Sequence, residues 1–181
     1  MSNRFWTALA ALAALCATAC SPVFDWRDVS VTPATAAVVL PCKKPDRTVR
    51  DIPLGGVATE LTMVGCEAGG ATFAVMAAVL PDGQAPDDVL AGWQQATLAN
   101  VQASSKGVAR EPFRPLGGLP LPHAEHLVVQ GRRADGQSIQ AQVAWTAHEE
   151  ADGSVTLLHA VMYSRRKQDH DIDLFFETIR W

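Results

Sequence analysis

The 181-residue sequence predicts an α+β domain: an antiparallel β-sheet with elements in the order β-β-β-β-α-β-β-β-α, packed by two helices. Three observations carry this expectation. Short runs of alternating apolar and polar residues recur, joined by Gly-containing turns of hairpin type. Only two stretches place apolar residues at helical spacing. Strands come in runs instead of alternating with helices, which disfavours a doubly wound parallel sheet.

The first half of the chain reads as a four-stranded meander followed by a helix. Residues 36–40 form a β-prone run stopped by Pro41, and 48–54 alternates until Gly55-Gly56 supplies a turn. Alternation resumes over 57–66, turns at Ala68-Gly69-Gly70, and continues over 72–80, which is apolar on both faces. Pro81-Asp82-Gly83 breaks the sheet. A helix is expected from Asp87 or Asp88 to about Ser105, its acids lying in the first turn where the macrodipole favours them. Val89, Leu90, Trp93, Ala96 and Val101 share one arc at 100° per residue, with Gln94, Gln95 and Asn100 largely opposite.

The second half repeats the pattern. Residues 106–122 carry Pro112, Pro115, Gly117, Gly118, Pro120 and Pro122 and are expected as a loop longer than most, a length that marks either a functional segment or a poorly ordered crossing. Three strands follow over 125–132, 138–148 and 155–164, joined at Ala134-Asp135-Gly136 and Asp152-Gly153. Asp169-His170-Asp171 is expected to cap a short final helix with Ile172, Phe175, Phe176 and Ile179 as its buried stripe.

The N-terminus carries export features. Arg4 is the first charged side chain, and an uncharged run rich in Ala and Leu extends over 5–19. A short basic region before about 15 apolar residues is the layout of a signal peptide, whereas a membrane-spanning helix needs about 20. Ala17 and Ala19 satisfy the small-residue rule for cleavage before Cys20. The run Leu15-Cys16-Ala17-Thr18-Ala19-Cys20 resembles the lipobox of bacterial lipoproteins, with Ala17 standing where Leu is usual. That resemblance implies acylation of Cys20 and a membrane partner reached through the lipid, since two or more acyl chains hold a protein stably at about 0.8 kcal/mol per buried methylene. Ser21, in place of an Asp, implies the outer membrane facing the periplasm; the alternative is a soluble periplasmic chain. The expected organisation is a signal peptide over 1–19, a lipidated tether over 20–35 and a single domain over 36–181.

Composition narrows the function classes. The formal net charge is −4, and the basic clusters Lys43-Lys44 and Arg165-Arg166-Lys167 lack interleaved aromatics, so no nucleic-acid partner is expected. With Cys16 removed and Cys20 lipidated, Cys42 and Cys66 are left as a pair in an oxidising compartment. A disulfide between them is expected, worth about 3 kcal/mol in the chain-entropy model; a metal or redox pair is the rival reading.

Two further resemblances bear on fold. Val39-Leu40-Pro41 followed by Lys43-Lys44-Pro45, the hairpin around Gly131 and Gly136, and the terminal Phe175-Phe176 helix together resemble the PsbP-like α/β/α sandwich. The run from Cys66 to Val75 resembles exported lipoproteins of proteobacteria. The resemblance implies a binding or assembly module more than an enzyme, an analogy at the level of fold.

Candidate chemistry is sparse. His123-x-x-His126, with Glu125 between and His148 and His159 elsewhere, could ligate Zn²⁺ from a helix, but on a strand this spacing puts the rings on opposite faces. No G-x-S-x-G and no P-loop occurs, and no catalysis, cofactor or metal is expected. The expected role is docking of an envelope protein through residues 106–122, with Phe113 and Leu116 as contacts. The alternative is a small-ligand carrier with its pocket between sheet and helix near Trp93 and Trp145.

Overall fold

The computed structural model describes residues 23–104, 108–165 and 171–181. The expected signal peptide, Cys20 and the Asp169-His170 part of the final cap lie outside the described residues. The elements are β1 (Arg27–Val31), β2 (Ala36–Leu40), β3 (Asp46–Leu54), β4 (Val57–Ala68), β5 (Ala71–Val79), α1 (Pro86–Asn100), β6 (Ala109–Pro112), β7 (Glu125–Arg132), β8 (Ser138–Glu149), β9 (Val155–Ser164) and α2 (Asp171–Glu177). Strands β3 to β9 form one antiparallel sheet in the order β3-β4-β5-β9-β8-β7-β6, and β1 and β2 pair separately. The chain is therefore a sheet-rich α+β fold.

Both faces of the sheet are covered, which is why β5, β8 and β9 at its centre are apolar on both sides. On one face Phe73, Val75, Leu158, Ala160 and Met162 pack under the β1–β2 hairpin and Phe175, Phe176 and Ile179 of the C-terminal segment. On the other, Ala74, Ala78, Val143, Trp145, Leu157 and Val161 pack under Val89, Leu90 and Trp93 of α1. Phe73, Phe175 and Leu158 are fully or almost fully buried, each contributing about 2 kcal/mol.

Helix α1 starts where the sequence indicates, with Pro86 at its first turn and Asp87 and Asp88 beside it. It ends earlier than expected. Gln102 takes a φ of 45°, and the backbone is diverted to the sheet: Ser104 N–H donates to Gln130 O (2.9 Å), and Val101 O accepts from Arg132 N–H (2.7 Å). Gly131 makes this approach possible, since a Cβ there would sit 2.2 Å from Val101 O. Gln94, expected on the solvent side, is buried; its amide donates to Glu125 Oε2 (3.1 Å), and Glu125 is paired with Arg110.

Two expectations are corrected. Residues 27–31, expected within a tether, form β1, because Val31 on β1 packs with Val38 and Leu40 of β2 over the sheet. Phe24 and Trp26 pack against the same core, the Phe24 ring lying over the Gly69 turn, where a Cβ would meet Phe24 Cζ at 2.5 Å. Within the expected loop, 109–112 forms β6, paired with β7 from Ala109↔Val128 to Pro112↔Glu125. Alternation is hard to recognise in a four-residue edge strand exposed throughout.

Cys42 and Cys66 form a disulfide with Cα atoms 6.5 Å apart. The bond joins the exit of the β1–β2 hairpin to the face of β4 beneath it. Across the molecule, Thr178 Oγ1 accepts from Val39 N–H (3.2 Å), and Ala37 and Arg180 exchange backbone hydrogen bonds, fastening the C-terminal segment to β2.

Candidate docking groove

At the β6 edge, on the face covered by α2, a cleft of about 380 Å³ is lined by Glu111, Phe113, His126, Phe176 and Glu177. The register places Glu111 opposite His126, and Glu111 Oε1 lies 2.8 Å from His126 Nδ1. The imidazole centre is 4.6 Å from the Phe176 ring and 6.5 Å from Phe113. Its Nε2 is buried with no hydrogen-bond partner in the protein. A buried polar nitrogen without a partner costs about 1–3 kcal/mol, so the groove holds an unmet polar demand inside an aromatic wall. Glu111 and Glu177 are exposed and make its rim acidic.

The Pro-rich segment after Phe113 is fixed at several points. Phe113 N–H donates to Ala124 O (2.8 Å), Gly118 N–H to Pro115 O (2.9 Å), and Leu119 N–H to Ala147 O (2.7 Å). His148 Nδ1 lies 2.7 Å from Gly117 O, and its ring stacks on Trp181 at 4.9 Å. Trp181 N–H reaches Leu116 O at 3.4 Å. Leu116 is thus held on an anchored turn while 84% exposed. Backbone bonds hold it there without covering the apolar side chain.

The other expected contacts lie elsewhere. Trp145 is fully buried and Trp93 nearly so. His159 fills the space between them, stacked on Trp145 at 4.6 Å and edge-on to Trp93 at 5.2 Å. His159 Nδ1 lies 3.0 Å from Ala144 O, and burial pushes the ring's pKa down to about 4. The space a carrier would need between α1 and the sheet is occupied by these three rings.

Of the histidines weighed as ligands, His123 engages Asp87 of α1 (2.9 Å) and His126 engages Glu111 (2.8 Å), on opposite faces of the sheet. Among the described residues no group of three His, Cys, Asp or Glu side chains is placed to hold a metal, and no helix is long and apolar enough to cross a membrane. None of the groove's lining side chains is a Ser, Thr, Cys or Lys nucleophile.

Sequence reasoning singles out Phe113 and Leu116 as contacts but not Glu111, His126, Phe176 and Glu177, reading His126 as a possible metal ligand and Phe176 as core. Reading 109–112 as strand would have exposed the first two, since antiparallel pairing with 125–128 sets Glu111 against His126. No family model, curated protein or solved structure matches the chain.

Proposed function

We propose that the protein is an exported envelope lipoprotein, anchored to the outer membrane through Cys20, whose domain is a non-catalytic docking module for an envelope protein. Two observations carry the docking role: an exposed Leu116 on a fixed turn of the segment that follows Phe113, and a groove with an aromatic wall from Phe113 and Phe176 and an unpartnered His126 nitrogen. The occupant it fits is an extended segment beside the β6 edge, with an apolar side chain flanked by Lys or Arg to meet Glu111 and Glu177. A strand edge offers backbone groups to such a segment, and the pocket selects its side chain. The export reading rests on the basic start, the apolar run over 5–19 and the lipobox-like residues before Cys20. The finer fold reading, a PsbP-like sandwich, draws support from the layers on both faces of the sheet.

The test has two parts. Intact mass of the membrane-fraction protein is expected to give a chain starting at Cys20 with acyl mass added. A photo-crosslinker at Leu116 is then expected to trap one partner, with Phe113→Ala and Leu116→Ser each lowering the yield about 30-fold, the loss typical of a hot-spot contact of 2 kcal/mol. Folded variants with unchanged yield would remove the groove from the function.

A further inference from the structure

We propose that the end of the sheet carrying the β4–β5 and β7–β8 turns lies flat against anionic lipid headgroups, so that the docking groove is held at a fixed attitude to the membrane. This rests on the lipoprotein reading and adds an orientation and a second ligand class. The first observation is reach. Val23 packs at the β4–β5 turn, its Cγ1 being 3.5 Å from where a Cβ on Gly69 would lie, and the Phe24 ring covers the same glycine. Only three residue steps separate Val23 from Cys20, which spans at most about 11 Å. A 15-residue tether would have reached about 50 Å and left the orientation free. With its tether this short, a chain acylated at Cys20 must bring the β4–β5 turn close to the headgroups.

The second observation is charge. Arg132 and Arg133 lie at the end of β7, and Arg165 follows β9. Cys42 is bonded to Cys66 and Asp46 pairs with Gly65, so Lys43 and Lys44 lie beside the same turn. Asp46, Glu67 and Asp135 are the acids among them, with Asp25 nearby but paired with Arg27, leaving this end cationic in a chain of formal net charge −4. The cleft between the β4–β5 turn and β9 is about 580 Å³, room enough for a phosphate headgroup; Arg133 and Arg165 line it with Gly69 and Gly70, against the one carboxylate of Glu67. The opposite end of the sheet holds Asp82, Glu149, Glu150 and Asp152 at its turns, which an anionic surface repels. The reach to Cys20 is comparable with the Debye length of about 8 Å at physiological salt, so the arginines feel the surface. Each Lys or Arg held there adds about fivefold to association, the equivalent of about 1 kcal/mol.

The test uses the full-length protein expressed in a Gram-negative host and reconstituted from its membrane fraction. Hydrogen exchange is compared in detergent, in phosphatidylcholine vesicles and in vesicles of phosphatidylcholine with phosphatidylglycerol. The expected result is slowed exchange in the β4–β5 and β7–β8 turns on the phosphatidylglycerol vesicles alone. That protection should disappear at 1 M salt, where the Debye length is about 3 Å, and fall severalfold in the Arg133→Glu, Arg165→Glu variant. The β8–β9 turn should exchange equally throughout. An acylated chain whose basic turns exchange alike in all three settings overturns the orientation and leaves the lipoprotein reading standing. Protection that is present in detergent and grows with protein concentration overturns it in favour of a second copy of the chain. A chain without acyl mass overturns both readings together. The salt arm holds even if the double variant fails to fold.

Discussion

His159 is a titratable side chain closed off from solvent. Its ring is closed between Trp93 and Trp145, and burial pushes its pKa down to about 4 from an ordinary value near 6.5. Below pH 6.5 the unfolded chain takes up a proton that the folded chain refuses until about pH 4. Stability contributed by keeping this ring neutral is therefore complete above pH 6.5 and lost as pH falls toward 4, to a total of about 3 kcal/mol. Urea titrations at pH 7, 6, 5 and 4 should show the loss, and His159→Leu should flatten this part of the profile. A variant that loses stability with acid as steeply as the parent would show that other groups are responsible. Glu150 pulls in the same direction: burial would raise its carboxyl, but hydrogen bonds from Thr35 and Thr156, with His148 nearby, hold it below its ordinary value. Its contribution too is lost as pH falls. In the sequence His159 is a polar letter in the middle of a mostly apolar strand. Its partners come from α1 and β8, a convergence that strand alternation does not specify.

At the scale of elements, most strands were legible because each has a period of two and a Gly-marked end. Strands β3, β4, β5, β7, β8 and β9 fall within two residues of their expected bounds. What the sequence hid has physical reasons. Strand β6 is too short and exposed to alternate, and β1 precedes the run that looked like the first strand, so its pairing with β2 is a tertiary choice. The end of α1 is another such choice. Apolar spacing through Val101 extends the helical pattern, yet the backbone leaves it to bond with β7 at Gln130 and Arg132. Gly131→Ala should expose this clamp. The added methyl would meet a carbonyl oxygen at 2.2 Å, and backbone cannot yield as a flexible side chain can. A loss of about 1–3 kcal/mol, the usual range for overpacking, is expected in urea unfolding, with faster amide exchange at Val101 to Ser104 and unchanged exchange in β3. A variant as stable as the parent would mean that α1 and β7 separate freely.

On the scale of the whole molecule, the two faces of the sheet are covered by different means. The α1 face is closed by a continuous helix, whereas the other is closed by a hairpin and a seven-residue helix, the two joined along β2. That second cover is held at its edges: Phe24 over the Gly69 turn, Arg180 against Ala37, Thr35 on Glu150, and the Cys42–Cys66 bond. The disulfide is the covalent member of this set, and it fixes the turn that carries Lys43 and Lys44. Its reduction should therefore act on one layer more than on the sheet. A global loss of about 3 kcal/mol is expected from the loop-entropy argument for the 24-residue separation. The larger relative increase in amide exchange should fall on β1 and β2, with β8 and β9 changed only by the global amount. Exchange measured on the reduced and alkylated protein checks this directly. A uniform rise across both faces would show that the hairpin and sheet unfold as one unit, so that the covering layer has no separate opening motion. A local rise confined to 27–40 would instead mark the hairpin as the part of the domain that opens first.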